Sequence, residues 1–396
     1  MRLNSLCVKD PKDPRTTKPH QLPIYATSSF EFESIEEGID IFKDPEKAHI
    51  YARFSNPTVD AVGQKIAALE SYGTEVTDAW GIMTSSGMSA ISTLVFGLLQ
   101  QGDKILTQGN LYGGTTELLK NVMTRYGIDV VLVDLRDEQA VRDAISADST
   151  IKMVYFETPS NPALDCIDIE LIATIAKETG IVSAIDNTFC TPAIQRPFLY
   201  GIDYIIHSTT KYLNGHGNGI SGAIIGKTLE NKKKVWSAMK LIGTNCNAWD
   251  AWLTNVGMKT LNLRMERHSA NGLALSQYLS THAKVDRVNY LGLESHPDHQ
   301  TAQKQMNMYG GMMCFEVKGG IEGGLRFMNA VTIGALAPTM GDVDTLILHP
   351  ASMSHLNVDK EIRLANGITD GMIRVSVGIE DIEDLIEDFD RALSAV

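Results

Sequence analysis

Ser183-Ala-Ile-Asp-Asn-Thr-Phe-Cys-Thr-Pro192, running on to His207-Ser-Thr-Thr-Lys-Tyr212, is the stretch that decides the fold. Both parts read as buried strands that stop at polar residues. IVSAIDN is apolar up to Asp186, and DYIIHSTTK is apolar up to Ser208, Thr210 and Lys211. In an open parallel sheet, ligands sit beyond the carboxyl ends of the strands, so an acid and an amine on two such ends can face one small molecule. Pyridoxal 5'-phosphate (PLP) asks for that pair: a lysine to bond its aldehyde, and a carboxylate to keep the pyridine nitrogen protonated so that the ring takes up electrons. Alone, a strand-end lysine is a solvated surface residue and an aspartate is a helix cap. The pairing, with hydroxyls beside the lysine, carries the functional reading.

Outward from this centre, strands and helices alternate: KILTQ, a turn at Tyr112-Gly-Gly-Thr-Thr, DVVLV, a helix to about residue 147, KMVYFE, a helix near 168–178, then the two central strands and AIIG. Such β–α repeats predict an α/β fold with a mostly parallel sheet covered on both faces. KMVYFE also stops at a polar run, Glu157-Thr-Pro-Ser-Asn161-Pro162. Upstream, AWGIMT breaks at Ser85-Ser-Gly87-Met88 before a helix, where backbone N–H groups can approach a phosphate.

Residues 1–60 do not read as a domain. Pro11, Pro14, Pro19 and Pro23 interrupt them, and an arm this irregular needs its own body or a neighbouring subunit to lie against. Pro57 marks a helix start, with Val62, Ile66 and Leu69 as its apolar face. A PLP-binding domain is expected over 61–255 and a smaller α/β domain over 256–396, with strands at GGMMCFEVKG, AVTIGALAP and GMIRVSVG. Arg374 lies inside the last of these. A buried arginine is costly unless paired, so it is expected to bind a carboxylate, with a structural ion pair as the alternative.

The net charge of −13 argues against a general nucleic-acid binder. No apolar run approaches membrane-spanning length, and the N-terminus lacks the apolar core of a signal peptide. The five cysteines form no CxxC or Cys/His cluster, so neither a disulfide framework nor a metal site is expected, and a reducing, cytoplasmic setting fits.

These motifs together resemble the cysteine/methionine-metabolism (transsulfuration) family of PLP enzymes. That family includes methionine γ-lyase, cystathionine lyases and γ-synthase, and O-acylhomoserine sulfhydrylases. The resemblance runs through YARFSNPT, TSSGMSAI, LYGGT, ETPSNP, AIDNTFCTP, HSTTKYLNGHG, LRMERH, GDVDTLILHPASMSH and GMIRVSVGIED, essentially the whole chain. It implies the aspartate-aminotransferase (type I) fold and a homotetramer of two tight dimers with shared active sites.

By this resemblance Lys211 bonds the cofactor and then moves protons, Asp186 partners the pyridine nitrogen, and Thr188 lies against the ring. Ser208, Thr210 and the backbone of Gly87 and Met88 cradle the phosphate, with Tyr51 and Arg53 reaching in from the neighbouring subunit. Tyr112 stacks on the ring and handles the leaving group's proton. Arg374 clamps the substrate α-carboxylate, with Asn161 and the backbone around Thr339 helping.

Departures from the family bear on substrate. Gly114 stands where methionine γ-lyases usually carry a cysteine, which is expected to leave open space beside Tyr112. Pro338-Thr-Met-Gly341 replaces a common Ser-Leu-Gly, and Gly217-Asn-Gly219 replaces an aspartate followed by an aliphatic residue. The implied activity is a carbon–sulfur lyase acting on methionine, homocysteine or cystathionine. The alternative is a γ-replacement enzyme of the O-acylhomoserine sulfhydrylase or cystathionine γ-synthase kind. A catalytically silent binding or assembly protein is opposed by intact Lys211, Asp186, Tyr112 and Arg374. A nucleotide-binding dehydrogenase is opposed by the lack of GxGxxG after the first strand.

Overall fold

Seven strands make the larger sheet of the computed structural model: β1 (Trp80–Thr84), β2 (Lys104–Thr107), β3 (Asp129–Leu132), β4 (Ile151–Glu157), β5 (Val182–Asp186), β6 (Tyr204–Ser208) and β7 (Gly222–Gly226). The structure describes residues 1–9, 19–45, 47–356 and 358–396, so Pro11 and Pro14 lie outside the described residues. The strand order is β1-β7-β6-β5-β4-β2-β3. Only β7 runs against its neighbours, β1 and β6; the other pairings are parallel. The carboxyl ends of β1, β4, β5 and β6 therefore share one edge.

Side chains alternate across a strand with a period of two, and the core divides accordingly. Val154, Phe156, Ile185 and Ile205 pack on one face with Val62, Ile66 and Leu69 from the helix Pro57–Glu70. Met153, Tyr155, Ala184, Tyr204 and Ile206 pack on the other, with Leu94 and Val95 from the helix Gly87–Leu98. Burial on both faces is why these strands read as continuous apolar runs.

A second sheet follows: β8 (Val285–Asn289), β9 (Met312–Val317), β10 (Ala335–Leu336), β11 (Leu346–Leu348) and β12 (Met372–Ser376), in the order β10-β11-β12-β9-β8. All its pairings are antiparallel except β10 with β11. The helix Leu261–Ser280 links the two cores, its Leu261 and Met265 in the first and its Leu275 and Leu279 in the second. Residue 255 falls inside the preceding helix, Ala248–Met258.

One expectation needs correction. AVTIGALAP is not a full strand: its first residue ends the helix Gly320–Ala330, and pairing is confined to Ala335–Leu336. The arm lies against its own body, one of the two supports expected for it. It contains the helices Leu3–Val8 and Ile35–Lys43. It is also tied down by hydrogen bonds from Trp252 Nε1 to Leu22 O (3.1 Å), Thr58 Oγ1 to Pro23 O (2.8 Å) and Trp236 Nε1 to Phe54 O (2.8 Å). Among the described residues no helix is long and apolar enough to cross a membrane.

Candidate active site

At the end of β1 the chain turns through Ser85 and Ser86 into the helix Gly87–Leu98. Ser86 and Ser89 close a capping box, each hydroxyl accepting from the other's N–H. That box does not use the N–H groups of Gly87 and Met88, which stay available at a helix N-terminus, where negative charge is favoured. Ser208, at the end of β6, stands directly against this turn: a Cβ on Gly87 would lie 2.8 Å from Ser208 Cβ. Glycine is thus the residue that lets the helix end and the strand end meet. Thr210 is braced by Ser221, whose N–H it accepts at 3.1 Å and whose carbonyl it donates to at 3.2 Å.

Asp186, at the end of β5, is tied to the same strand end through Thr188. Thr188 N–H donates to Asp186 Oδ1 at 2.9 Å, and Thr188 Oγ1 accepts from Ser208 N–H at 2.8 Å. Tyr155 reaches the other Asp186 oxygen with its hydroxyl at 3.5 Å. Burial pushes the Asp186 carboxyl up, opposed by the hydrogen bonds from Thr188. In the β4–β5 register Glu157 stands beside Asp186. Burial first, and then the Asp186 charge, push Glu157 up to about 8. Glu157 Oε2 accepts the Tyr112 N–H at 2.8 Å, fixing the tyrosine's backbone.

Lys211 Nζ donates to Thr339 Oγ1 at 2.6 Å. Burial, followed by the charge of Arg374, draws the Lys211 ammonium down, and Asp342 acts the other way. A neutral amine is the form that can attack an aldehyde or accept a proton. Arg374 on β12 is buried, donating to Thr339 O at 2.9 Å and to Asn161 Oδ1 at 3.3 Å. The ionisable groups that act on it are Cys314, Tyr212 and Tyr112, none of them a carboxylate. The structural ion pair that would explain Arg374 blandly is not formed among the described residues. A cavity of about 500 Å³ opens beside Thr210 and Thr339, walled also by Gly217, Gly219, Asp250 and Asp342.

Lys211, Asp186, Thr188, Ser208, Gly87, Met88, Tyr112, Asn161, Thr339 and Arg374 thus converge on the ends of the central strands and the facing edge of the second sheet. Tyr51 and Arg53 make their contacts elsewhere in this chain. Arg53 donates to Lys240 O and lies over the rings of Tyr51 (5.7 Å) and Phe54 (5.0 Å). At Gly114 the open-space expectation is corrected: a Cβ would stand 2.7 Å from Tyr112 Cε1 and 3.2 Å from Met88 Sδ, so the tyrosine ring itself occupies that space. Sequence reasoning passed over the Thr339 hydroxyl and Asp342. It noted Glu157 as a polar strand end without giving it a role, although its apolar run stops at an acid just as that of Asp186 does.

These residues fit PLP. Two N–H groups and the Ser208 hydroxyl suit a phosphate, and the half-buried Asp186 carboxyl suits a cationic ring nitrogen that would offset its desolvation. The Lys211 amine suits the aldehyde. Arg374 remains for a substrate carboxylate.

A model of the Cys/Met metabolism PLP-dependent enzymes matches residues 4–394. An L-methionine γ-lyase of Fusobacterium nucleatum subsp. polymorphum is 42% identical over 377 residues, covering 95% of this chain and 93% of its own. An O-succinylhomoserine sulfhydrylase of Pseudomonas aeruginosa is 38% identical, covering 95% and 91%. The crystal structure of cystathionine γ-synthase from Xanthomonas oryzae pv. oryzae, in complex with aminoacrylate and cysteine, superposes with a TM-score of 0.92. It is 34% identical, covering 100% of this chain and 98% of its own.

Proposed function

Because the chain belongs to the Cys/Met metabolism family of PLP-dependent enzymes, we propose that it is a carbon–sulfur lyase of sulfur amino acid metabolism. Methionine and water would give 2-oxobutanoate, ammonia and methanethiol; homocysteine and cystathionine are cleaved by the same chemistry. The observation that carries this reading is the placement of Lys211 and Arg374 on the two sides of Thr339, with Asp186 at the neighbouring strand end. PLP, when bound, supplies an electron sink that makes the Cα–H of an amino acid acidic.

The chain's own groups do the rest. Arg374 and Asn161 hold the α-carboxylate and so fix which Cα bond is broken. Asp186 keeps a proton on the ring nitrogen. Lys211, freed once substrate is bound, removes the Cα proton and serves as the base at Cβ. Tyr112 gives a proton to the departing sulfur.

A second reading, γ-replacement on an O-acylhomoserine, is favoured by the sulfhydrylase among the relatives. Both readings use every residue named above. Product analysis on methionine, cystathionine, cysteine and O-acetylhomoserine, with and without sulfide, separates them. A lyase releases a 2-oxo acid without added thiol; a replacement enzyme forms a new thioether or thiol amino acid.

The working form is proposed to be a homotetramer of two dimers, with Tyr51 and Arg53 completing the neighbour's phosphate site. Support comes from the apolar side chains of Ile35, Ile39 and Phe42, which are exposed on the helix Ile35–Lys43. The five cysteines are free thiols, which fits the proposed cytoplasmic setting.

A further inference from the structure

Behind the sheet, on the face away from Lys211, lies a fully buried acid–base pair that the proposed chemistry does not use. Glu70, the last residue of the helix Pro57–Glu70, and His207, in β6, are both 0% exposed. His207 Nε2 and Glu70 Oε1 are 2.6 Å apart. The same oxygen accepts from Asn187 Nδ2 at 2.9 Å. Asn187 also exchanges hydrogen bonds with Gln195, donating to its carbonyl at 3.0 Å and accepting from its Nε2 at 3.1 Å. Gln195 Nε2 goes on to Thr158 O at 3.2 Å.

The positions of these residues along the strands make the connection to the site. Thr158 directly follows Glu157, Asn187 directly follows Asp186, and His207 directly precedes Ser208. With side chains alternating between faces, each front-face cofactor group has a neighbour one residue away in this rear network. A shift of Asn187 or His207 moves the backbone that carries Asp186 or Ser208.

Stability alone is a poor reason for the pair. Glu70 Oε2 and His207 Nδ1 are buried without hydrogen-bond partners among the described residues. Unsatisfied buried polar atoms cost stability, and an apolar pair of similar volume would commonly serve a core as well or better. A locally costly feature beside a site points to a role in that site.

We propose that Glu70 and His207 are positioning residues: through Asn187 they lock the ends of β5 and β6 so that Asp186 and Ser208 stay in register with the two ends of the cofactor. The proposal rests on the PLP-binding reading but not on which reaction follows, and its test does not depend on turnover. Reconstitution of the wild-type apoprotein with PLP is the control; failure there would sink the cofactor assignment and not this proposal.

The measured quantities are the release rate of PLP and the induced circular dichroism of the bound cofactor. Glu70→Ala and His207→Ala should each speed release roughly ten- to a hundredfold, as for a buried polar group left without its partner, and should change the dichroism. Glu70→Gln keeps the oxygen that accepts from both donors, so release should stay within about threefold of wild type. If Glu70→Ala does not accumulate as folded protein, Gln195→Met frees Asn187 and Thr158 from the other side and should raise the release rate several-fold. A lowered melting temperature with unchanged release and dichroism would make the pair merely structural and overturn the proposal. Equal loss in Glu70→Ala and Glu70→Gln would overturn it as well.

Discussion

Thr339 is bound by both Lys211 and Arg374: its hydroxyl accepts from Lys211 Nζ at 2.6 Å, and its carbonyl accepts from Arg374 Nη2 at 2.9 Å. One residue of the second sheet's loops thereby sets the spacing between the proposed base and the proposed carboxylate clamp. Thr339→Val separates the two functions, since it removes the hydroxyl and keeps the carbonyl. The loss of one hydrogen bond should lower kcat about two- to tenfold, with KM within about twofold because Arg374 keeps its anchor. Steady-state kinetics on the substrate found by product analysis checks this. A rise in KM at unchanged kcat would place Thr339 in binding alone.

Glu157 supplies a pH-dependent prediction. Its carboxyl is pushed up to about 8 from 4.5, by burial and then by Asp186. Between those two values the folded protein holds a proton that the unfolded chain has released. Stability attributable to this group therefore falls as pH rises through the window and is lowest above it. Glu157→Gln carries no such proton, yet it can still accept the Tyr112 N–H. The melting temperature of the variant should decline less than that of wild type between pH 5 and pH 8. Parallel melting curves would mean that Glu157 is ionised at neutral pH.

The two halves of the Lys211–Asp186 pair were legible because each ends an apolar run, and burial on both sheet faces is what makes such runs visible. The arm illustrates a local signal that was present and passed over. Ser34-Ile-Glu-Glu37 has the capping-box pattern, and Ser34 does cap the helix Ile35–Lys43, with Glu37 N–H donating to Ser34 Oγ at 3.1 Å, while the Glu37 carboxylate accepts the N–H of Glu33. Other features had no local signal at all. Lys211 meets Thr339 from 128 positions away, and His207 meets Glu70 from 137. No periodicity or motif spacing encodes a pairing of that range; only the packing of one sheet against the other elements creates it. The misread strand AVTIGALAP has a similar cause. Its β-branched residues satisfy local propensity, but Val331–Gly334 form the bend that follows the helix Gly320–Ala330, and only Ala335–Leu336 pair, with β11.

Arg53 tests the shared site. In its own chain it contacts Lys240 and Phe54, so a phosphate contact would have to be made across an interface. Subunits carrying Arg53→Ala and subunits carrying Lys211→Ala should each be inactive or nearly so. Mixed and allowed to exchange, they should regain about one intact site per mixed dimer, as a two-fold interface requires. Native mass spectrometry verifies the exchange. No recovered activity in verified mixed dimers would confine Arg53 to a structural role in its own chain.

Tyr112 and Gly114 bear on the last step, departure of the γ-group. Tyr112 is held at its backbone by Glu157, while half of its surface is exposed, so its ring can respond to its neighbours. Tyr112→Phe should keep the bound cofactor and Cα–H exchange, yet lose γ-elimination on the order of 10²–10⁴-fold, as for a lost general acid. Gly114 controls where the ring can lie: a Cβ there would come within 2.7 Å of Tyr112 Cε1, too close for the observed position. Gly114→Cys must therefore push the ring away from position 114 and place a thiol in the vacated space. The change should act on the leaving group more than on the α-carbon, because Arg374 and Lys211 are untouched. The expected result is a higher ratio of kcat/KM for methionine over cystathionine in Gly114→Cys, with the rate of Cα–H exchange within about threefold of wild type. Gly114→Ala separates steric displacement from thiol chemistry: if it shifts the ratio as far as cysteine does, the ring position is the cause. An unchanged ratio in both variants would move substrate choice to Pro338 and Thr339.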